Sequence, residues 1–207
     1  AYAVQTWIQD PSAANMPYDR FARAILTAQG EWEEQPAVGW YWQFRDGGTT
    51  ELTEDVAQLF LGQRLQCAKC HHHPYEKWGQ PDYYSLAACF ARVGLKGSDD
   101  YGIFGNEEIV RLTPSGEVSL PKSGRLMEPL PPDGPALSDP VDRRRALANW
   151  LTSRENLQFA RNLANRFWGY VMGHGIVEPI DDLRSTNPPS NPELLEATAG
   201  RELFFES

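Results

Sequence analysis

Residues 65–75 read Leu65-Gln66-Cys67-Ala68-Lys69-Cys70-His71-His72-His73-Pro74-Tyr75, and the Cys-x-x-Cys-His run inside them constrains the chain more than any other stretch. This spacing is the one by which a c-type haem is attached. Two thiols add across the haem vinyl groups to form thioethers, and the adjoining imidazole supplies one axial ligand to the iron. On a helix, positions i, i+3 and i+4 share one side, so Cys67, Cys70 and His71 point together. A porphyrin edge can then be stitched to both sulfurs while the imidazole reaches its centre. Three other readings use the same residues. Zinc could take Cys67, Cys70 and two of the three histidines, although structural zinc usually joins two ligand pairs from separate segments, and His174 is the only distant histidine. A thioredoxin-like redox pair expects a βαβ pattern around it, which the flanks lack. A plain disulfide is the fourth. The pattern favours haem.

Charge and length narrow the function further. A formal charge of −9 over 207 residues disfavours nucleic acid, whose phosphates need a basic face. It suits a secreted protein or one that meets a basic redox partner. No run of 18 apolar residues exists to span a membrane. The chain opens at Ala1 without a methionine, which reads as a processed product or an excised part of something longer. Seven tryptophans and 12% aromatic residues suit walls around a flat apolar ring, or equally an aromatic-rich core. Cys89, between Ala88 and Phe90, reads as a buried and inert thiol.

Periodicity predicts a mainly α fold: a helical haem-binding domain, a small antiparallel β hairpin or meander, and a C-terminal helical segment. Val4, Trp7 and Ile8 share a helical face, and a helix restarts after Met16-Pro17 and ends near Gly30. Residues 31–50 carry five aromatics without a period and read as irregular, available to cover a haem or to pack on the core. Thr53 is the expected N-cap of a helix carrying Val56, Leu59, Phe60 and Leu65 into the motif, bounded by Pro74. Leu86–Val93 reads as a further helix and residues 94–106 as a loop. Ile109 and Arg111 alternate with Val118 and Leu120 around Thr113-Pro114-Ser115-Gly116, and Pro121-Lys122-Ser123-Gly124 makes a second turn before Met127. Residues 1–127 are thus expected to form the haem domain and 128–140, with their prolines, a linker. Residues 141–207 complete a C-terminal helical fragment. There Asp139 caps a helix with Pro140 at its first position, and Arg143-Arg144-Arg145 makes a solvated or carboxylate-paired turn. Asn156 starts a second helix with Phe159, Leu163, Phe167 and Val171 on one stripe, ended by Gly173, and Asn191-Pro192 a third.

Several stretches resemble a pair of families, the planctomycete cytochrome-type domain of the second kind and the planctomycete-specific domain that usually follows it. The first resemblance is carried by Met16-Pro17-Tyr18-Asp19-Arg20-Phe21, by Gln58 through His71, by His73-Pro74-Tyr75-Glu76-Lys77-Trp78, and by Asp82-Tyr83-Tyr84 through Ala88. The second is carried by Asn165-Arg166-Phe167-Trp168, Gly175 through Asp182, and Thr186 through Leu195. The resemblance implies an extracytoplasmic haem-type protein, periplasmic or extracellular, with no established reaction. Cys89 and His72 depart from the residues usual there, and the longer N-terminal part of the first domain and most of the second are missing.

A sixth iron ligand separates carrier from catalyst, and Met127, Met172 and His174 are the distal candidates. A methionine ligand raises the potential relative to a second histidine. Arg64, Lys69, Lys77 and Trp78 are candidates to meet the haem propionates and line its pocket, and His73 to bond a propionate or the backbone. Glu178, Asp181, Asp182, Asn187 and Asn191 gather oxygen ligands at a density that suits calcium, although helix caps and Asx-turns use the same residues. Three functions follow. The favoured one is a c-type haem electron-transfer module that docks a redox partner or other subunits. A haem enzyme of peroxidase or oxidase type would need His72, His73 or His174 over an open distal face. A structural or interaction subunit would hold zinc at its Cys/His cluster.

Overall fold

In the computed structural model the described residues are 5–9, 15–97 and 108–200. The fold is mainly α, as predicted. Residues 5–9 are helical, and Val4 lies outside the described residues. Helix α1 (Tyr18–Leu26) buries Ala22, Ile25 and Leu26, the i, i+3, i+4 set of an amphipathic helix, and stops where Thr27 turns its hydroxyl back to the Arg23 carbonyl at 2.8 Å. Residues 31–50 are more ordered than their composition predicts. A 3₁₀ helix (Pro36–Phe44) buries Val38, Tyr41 and Phe44, and its tyrosine hydroxyl donates to the Leu26 carbonyl. These aromatics pack into the core with α1 and the sheet.

Helix α2 (Gly48–Leu61) begins five residues before the expected cap. Thr53 is buried inside it and spends its hydroxyl on the Thr49 carbonyl. Nor does the helix run into the motif. It ends at Gly62, left-handed at φ 63°, with the Gln63 amide reaching back to the Ala57 carbonyl. Helix α3 (Gln80–Ala87) follows the motif and lies six residues ahead of the predicted Leu86–Val93 helix, sharing only Leu86 and Ala87 with it. Val93–Gly97 then form strand β1 where a helix end and loop were expected.

The hairpin is likewise not the predicted one. Strand β2 (Glu108–Leu112) pairs antiparallel with β1, Val93 opposite Leu112 and Leu95 opposite Val110, and Gly30 bridges to Val110 on the other edge. Val118 and Leu120 do not pair with Ile109 and Arg111. Gly116 instead lies so close over Ala91 that an added Cβ would sit 2.2 Å from its carbonyl oxygen, and Thr113 bonds the Arg92 carbonyl. The second predicted turn does form. Ser119 bridges Leu126 around Pro121–Gly124.

Residues 128–140 lie along the fold, with Leu130 donating to the Ser85 carbonyl and Gly134 held against Trp150. Asp139 precedes helix α4 (Arg143–Leu151) and does not cap it. Its carboxylate accepts the Val141 and Asp142 amides and pairs with Arg145, while Asp142 is the true N-cap. Of the arginine run, Arg143 pairs with Glu117, but Arg144 is fully buried. It bonds Asp142 twice, the Ala28 carbonyl at 2.8 Å and the Tyr41 hydroxyl at 3.1 Å. Asn156 and Asn191 cap helices α5 (Leu157–Met172) and α6 (Pro192–Thr198) as expected. Phe159 and Leu163 are buried, yet Phe167 is 51% and Val171 78% exposed, so the stripe is covered only along its first half. One hydrophobic cluster joins Leu26, Val38, Phe60, Leu65, Leu86, Leu151, Phe159 and Leu195, drawn from both ends of the chain. Each such side chain contributes about 1.5–3 kcal/mol by leaving water.

Candidate functional site

Helix α5 positions the motif from below by satisfying the last carbonyls of α2, which an α-helix leaves without internal partners. Arg166 donates to the Gln58 carbonyl at 2.8 Å, Asn162 to Leu59 at 2.6 Å and Gln158 to Leu61 at 2.9 Å. The Gly62 carbonyl accepts the Leu183 amide at 2.8 Å. With the corner at Gly62 fixed, Gln66–Lys69 wind into a single 3₁₀ turn. Leu65 and Ala68, both fully buried, face the core, and Cys67, Cys70 and His71 are left on the outer side, exposed.

The Cys67 carbonyl accepts both the Cys70 amide at 3.3 Å and the His71 amide at 3.2 Å, so one backbone oxygen closes the turn that carries all three residues. Helix α3 holds the turn from the side. Gln80 donates to the Lys69 and Cys70 carbonyls, and the Tyr84 hydroxyl to Lys69. Burial, followed by the neighbouring Cys70 thiol, raises the Tyr84 hydroxyl above its ordinary value. Lys69 faces Glu54 at 3.9 Å.

Cys67, Cys70 and Cys89 are all free thiols. The first two are exposed. Cys89 is buried as expected, and burial pushes its thiol up to about 12. His71 Nδ1 lies 2.7 Å from the His72 carbonyl. A carbonyl oxygen only accepts, so in the neutral ring the proton is on Nδ1 and the lone pair is on Nε2. A carbonyl on one ring nitrogen is the usual way an imidazole is oriented for a metal on the other. Two free thiols and one so-oriented imidazole on a single turn are a donor set that fits covalent haem. Among the described residues no group of three or more His, Cys, Asp or Glu is placed to hold a metal ion by itself.

Arg64, Lys77 and Trp78 do come together, around a cavity of about 600 Å³ beside the motif, and neither thiol nor His71 lines it. Its walls come from residues 63–64 and 72–78, from Asp133, and from Gln158 and residues 182–186. His73 is buried, its amide donating to the Trp78 carbonyl and its Nδ1 accepting the Tyr75 amide at 3.2 Å, which bears out a backbone role. Arg64 is committed to Asp181 and Lys77 to Asp133, with Lys77 also over the Trp78 ring at 4.8 Å. Burial alone would raise the Asp181 carboxyl, but hydrogen bonds from Gln58 and Arg64 outweigh it and hold the group below the usual carboxylate range.

The distal candidates come from two other segments of the chain. Met127 is buried beside Arg125, its amide bonded to Val118. Met172 and His174 are exposed at the far end of α5, which packs on α2 and α6, whereas the motif turn packs on α3. The oxygen-rich stretch is used for scaffolding. Glu178 accepts the Gly175 amide, Asp182 pairs with Arg184, Asn187 bonds two carbonyls and Asn191 caps α6. Tyr75, Arg184 and Ser185 were not predicted as cavity residues. Nothing in local spacing says that 182–186 meets 72–78.

Residues 1–94 match the family PSCyt2, described as "Protein of unknown function (DUF1549)", and residues 143–202 match PSD1, described as "Protein of unknown function (DUF1553)". The order is the one the sequence resemblance implies. No curated protein and no solved structure matches the chain. No helix among the described residues is long and apolar enough to cross a membrane.

Proposed function

The chain carries a PSCyt2 segment followed by a PSD1 segment, and from that premise we propose that it is an extracytoplasmic c-type haem protein working as an electron-transfer module of a larger assembly. The single observation that supports this reading is the turn at Gln66–His71. It offers two exposed, free thiols and an imidazole with its Nδ1 tied to a carbonyl.

Cys67 and Cys70 would hold the haem by thioether bonds and His71 Nε2 would ligate its iron, which when bound supplies one-electron redox chemistry. The protein's share is orientation. Leu65 and Ala68 lock the turn to the core, the Cys67 carbonyl fixes the spacing, and Gln80 holds the two carbonyls after it. A group attached on this outer side keeps an edge toward solvent, which suits transfer to a docked partner. Met127, Met172 and His174 remain the residues to test as the sixth ligand.

A haem enzyme is the second reading, favoured by the cavity that His72 and His73 line next to the motif. An absorption spectrum of the purified protein tests both. A Soret band with a low-spin, six-coordinate signature fits the carrier, high-spin iron fits the enzyme, and no haem band removes both.

A further inference from the structure

The Cys67–His71 turn lies in the PSCyt2 segment, but the stretch that carries it, residues 64–76, is held at both ends by residues 181–186 of the PSD1 segment. At the leading end the Leu183 amide donates to the Gly62 carbonyl at 2.8 Å, and the Asp181 carboxylate accepts from Arg64 and from Gln58. The Gln58 carboxamide oxygen in turn accepts from Gln66 at 3.2 Å, so one side chain links Asp181 to the residue beside Cys67. At the trailing end the Ser185 amide donates to the Glu76 carboxylate at 2.7 Å and the Thr186 hydroxyl to the Tyr75 carbonyl at 3.3 Å. Arg184 lies over the Tyr75 ring at 5.1 Å. Each hydrogen bond between the two segments joins residues more than 100 apart in sequence.

Asp182 stiffens the loop that makes these contacts. Its carboxylate pairs with Arg184 at 3.0 Å, its amide reaches the Pro179 carbonyl at 3.0 Å and its carbonyl accepts from Asn187 at 2.9 Å. Partly exposed polar links of this kind add little to global stability one at a time. Their geometric effect is larger. Cys67, Cys70 and His71 are exposed, so the core does not fix their side chains. A surface loop is ordered by what fixes its ends, because joining the ends removes freedom that its tip would otherwise keep.

We propose that residues 181–186 of the PSD1 segment are a positioning strap for the attachment turn, clamping both ends of residues 64–76 so that Cys67, Cys70 and His71 keep a single arrangement. The PSD1 segment is then part of the haem site of the PSCyt2 segment, and Asp181 and Glu76 are positioning residues that act through the backbone of the turn. What the strap positions rests on the haem reading; that it orders the turn does not.

Amide hydrogen exchange of the full, haem-free chain tests the clamp. The Cys70 and His71 amides, both bonded to the Cys67 carbonyl, exchange about tenfold faster or more in Asp181→Ala and in Glu76→Ala, each of which removes a charged acceptor. Glu76→Gln keeps an oxygen for the Ser185 amide and exchanges more slowly than Glu76→Ala. The change is confined to the turn, with the amides of α4 exchanging at the wild-type rate. Glu196→Ala is the control, breaking the Arg161–Glu196 pair inside the PSD1 segment and leaving the turn amides unchanged. Melting curves keep every measurement well below the unfolding transition. In haem-loaded protein the same two alanine variants shift the ferric spectrum toward high spin, which a loss of stability in a still-folded protein does not do. The proposal is overturned if the turn amides of both alanine variants exchange within about threefold of wild type, a change smaller than the loss of one charged acceptor gives. It is equally overturned if Glu196→Ala or the α4 amides match their acceleration, if Glu76→Gln is no slower than Glu76→Ala, or if the haem-loaded variants keep the wild-type spectrum. Protein that takes up no haem defeats the functional reading, and the exchange rates then decide the strap by themselves.

Discussion

Replacing Arg144 by methionine should be the most damaging single change in the fold. The guanidinium is 0% exposed and makes four side-chain hydrogen bonds, two to Asp142, one to the Ala28 carbonyl and one to the Tyr41 hydroxyl. It joins the end of α1 and the 3₁₀ helix, both in the PSCyt2 segment, to the start of α4 in the PSD1 segment. Methionine fills similar volume, so the loss is electrostatic. Asp142 is left buried with its N-cap bond to the residue 144 amide but without its counter-charge. Breaking one partner of a buried pair costs about 3–5 kcal/mol. For a chain of this size each kcal/mol lowers Tm by about 2–4 °C, which gives a drop of about 6–20 °C. Urea unfolding followed by tryptophan fluorescence reads the free energy directly. The double variant Arg144→Met/Asp142→Asn keeps a cap acceptor but removes the stranded charge, and should recover on the order of 2 kcal/mol. A single-variant cost below about 1 kcal/mol, or a double variant no better than the single, refutes the reasoning.

Three further outcomes follow from the same geometry. Gly62→Ala places a Cβ 2.6 Å from Asn162 Oδ1 and 2.8 Å from the Leu183 side chain at a left-handed φ, and should cost at least about 2 kcal/mol by thermal or urea unfolding. The Asp181 carboxyl is lowered in the folded state, so its contribution is fully present above the unfolded value near 3.8 and is lost as pH falls through the folded one. Wild type should therefore lose more stability than Asp181→Asn on acidification below about pH 4, and parallel acid limbs would contradict this. Thiol titration with a disulfide reagent should find no reactive cysteine in the native haem-bearing protein and one, Cys89, after denaturation. Haem-free protein should give two and then three.

The sequence displays those parts of the fold that are decided by neighbours within a turn or two. Asn156 and Asn191 declare their helices because an amide oxygen at the N-cap bonds an amide three residues on, and Gly173 ends α5 in the left-handed region. The Cys67–His71 turn is legible for the same reason, although the helix leading to it breaks at Gly62, where Asn162 and Leu183, 100 and 121 residues away in sequence, close over the corner. Strand β1 alternates Val93 and Leu95, but Gly94 and Gly97 make it look like a loop, and its pairing with β2 is tertiary. Arg144 sits in a run of three arginines, and only the tertiary placement of Tyr41 and Ala28 selects it for burial. Phe167 and Val171 keep a helical period with nothing described above them, since period specifies a face and not its cover. The cavity is invisible for the same reason, its walls coming from segments more than 100 residues apart.

Covalent haem is the claim on which the functional reading turns, and a denaturing gel stained for haem peroxidase activity tests it most directly. The chain is expressed in an oxidising compartment with a c-type haem maturation system, beside its Cys67→Ala/Cys70→Ala variant. The account predicts a stained band at the mass of the polypeptide, lost in the variant while the protein band remains. An unstained wild-type band, with Cys67 and Cys70 both titrating as free thiols, would contradict it.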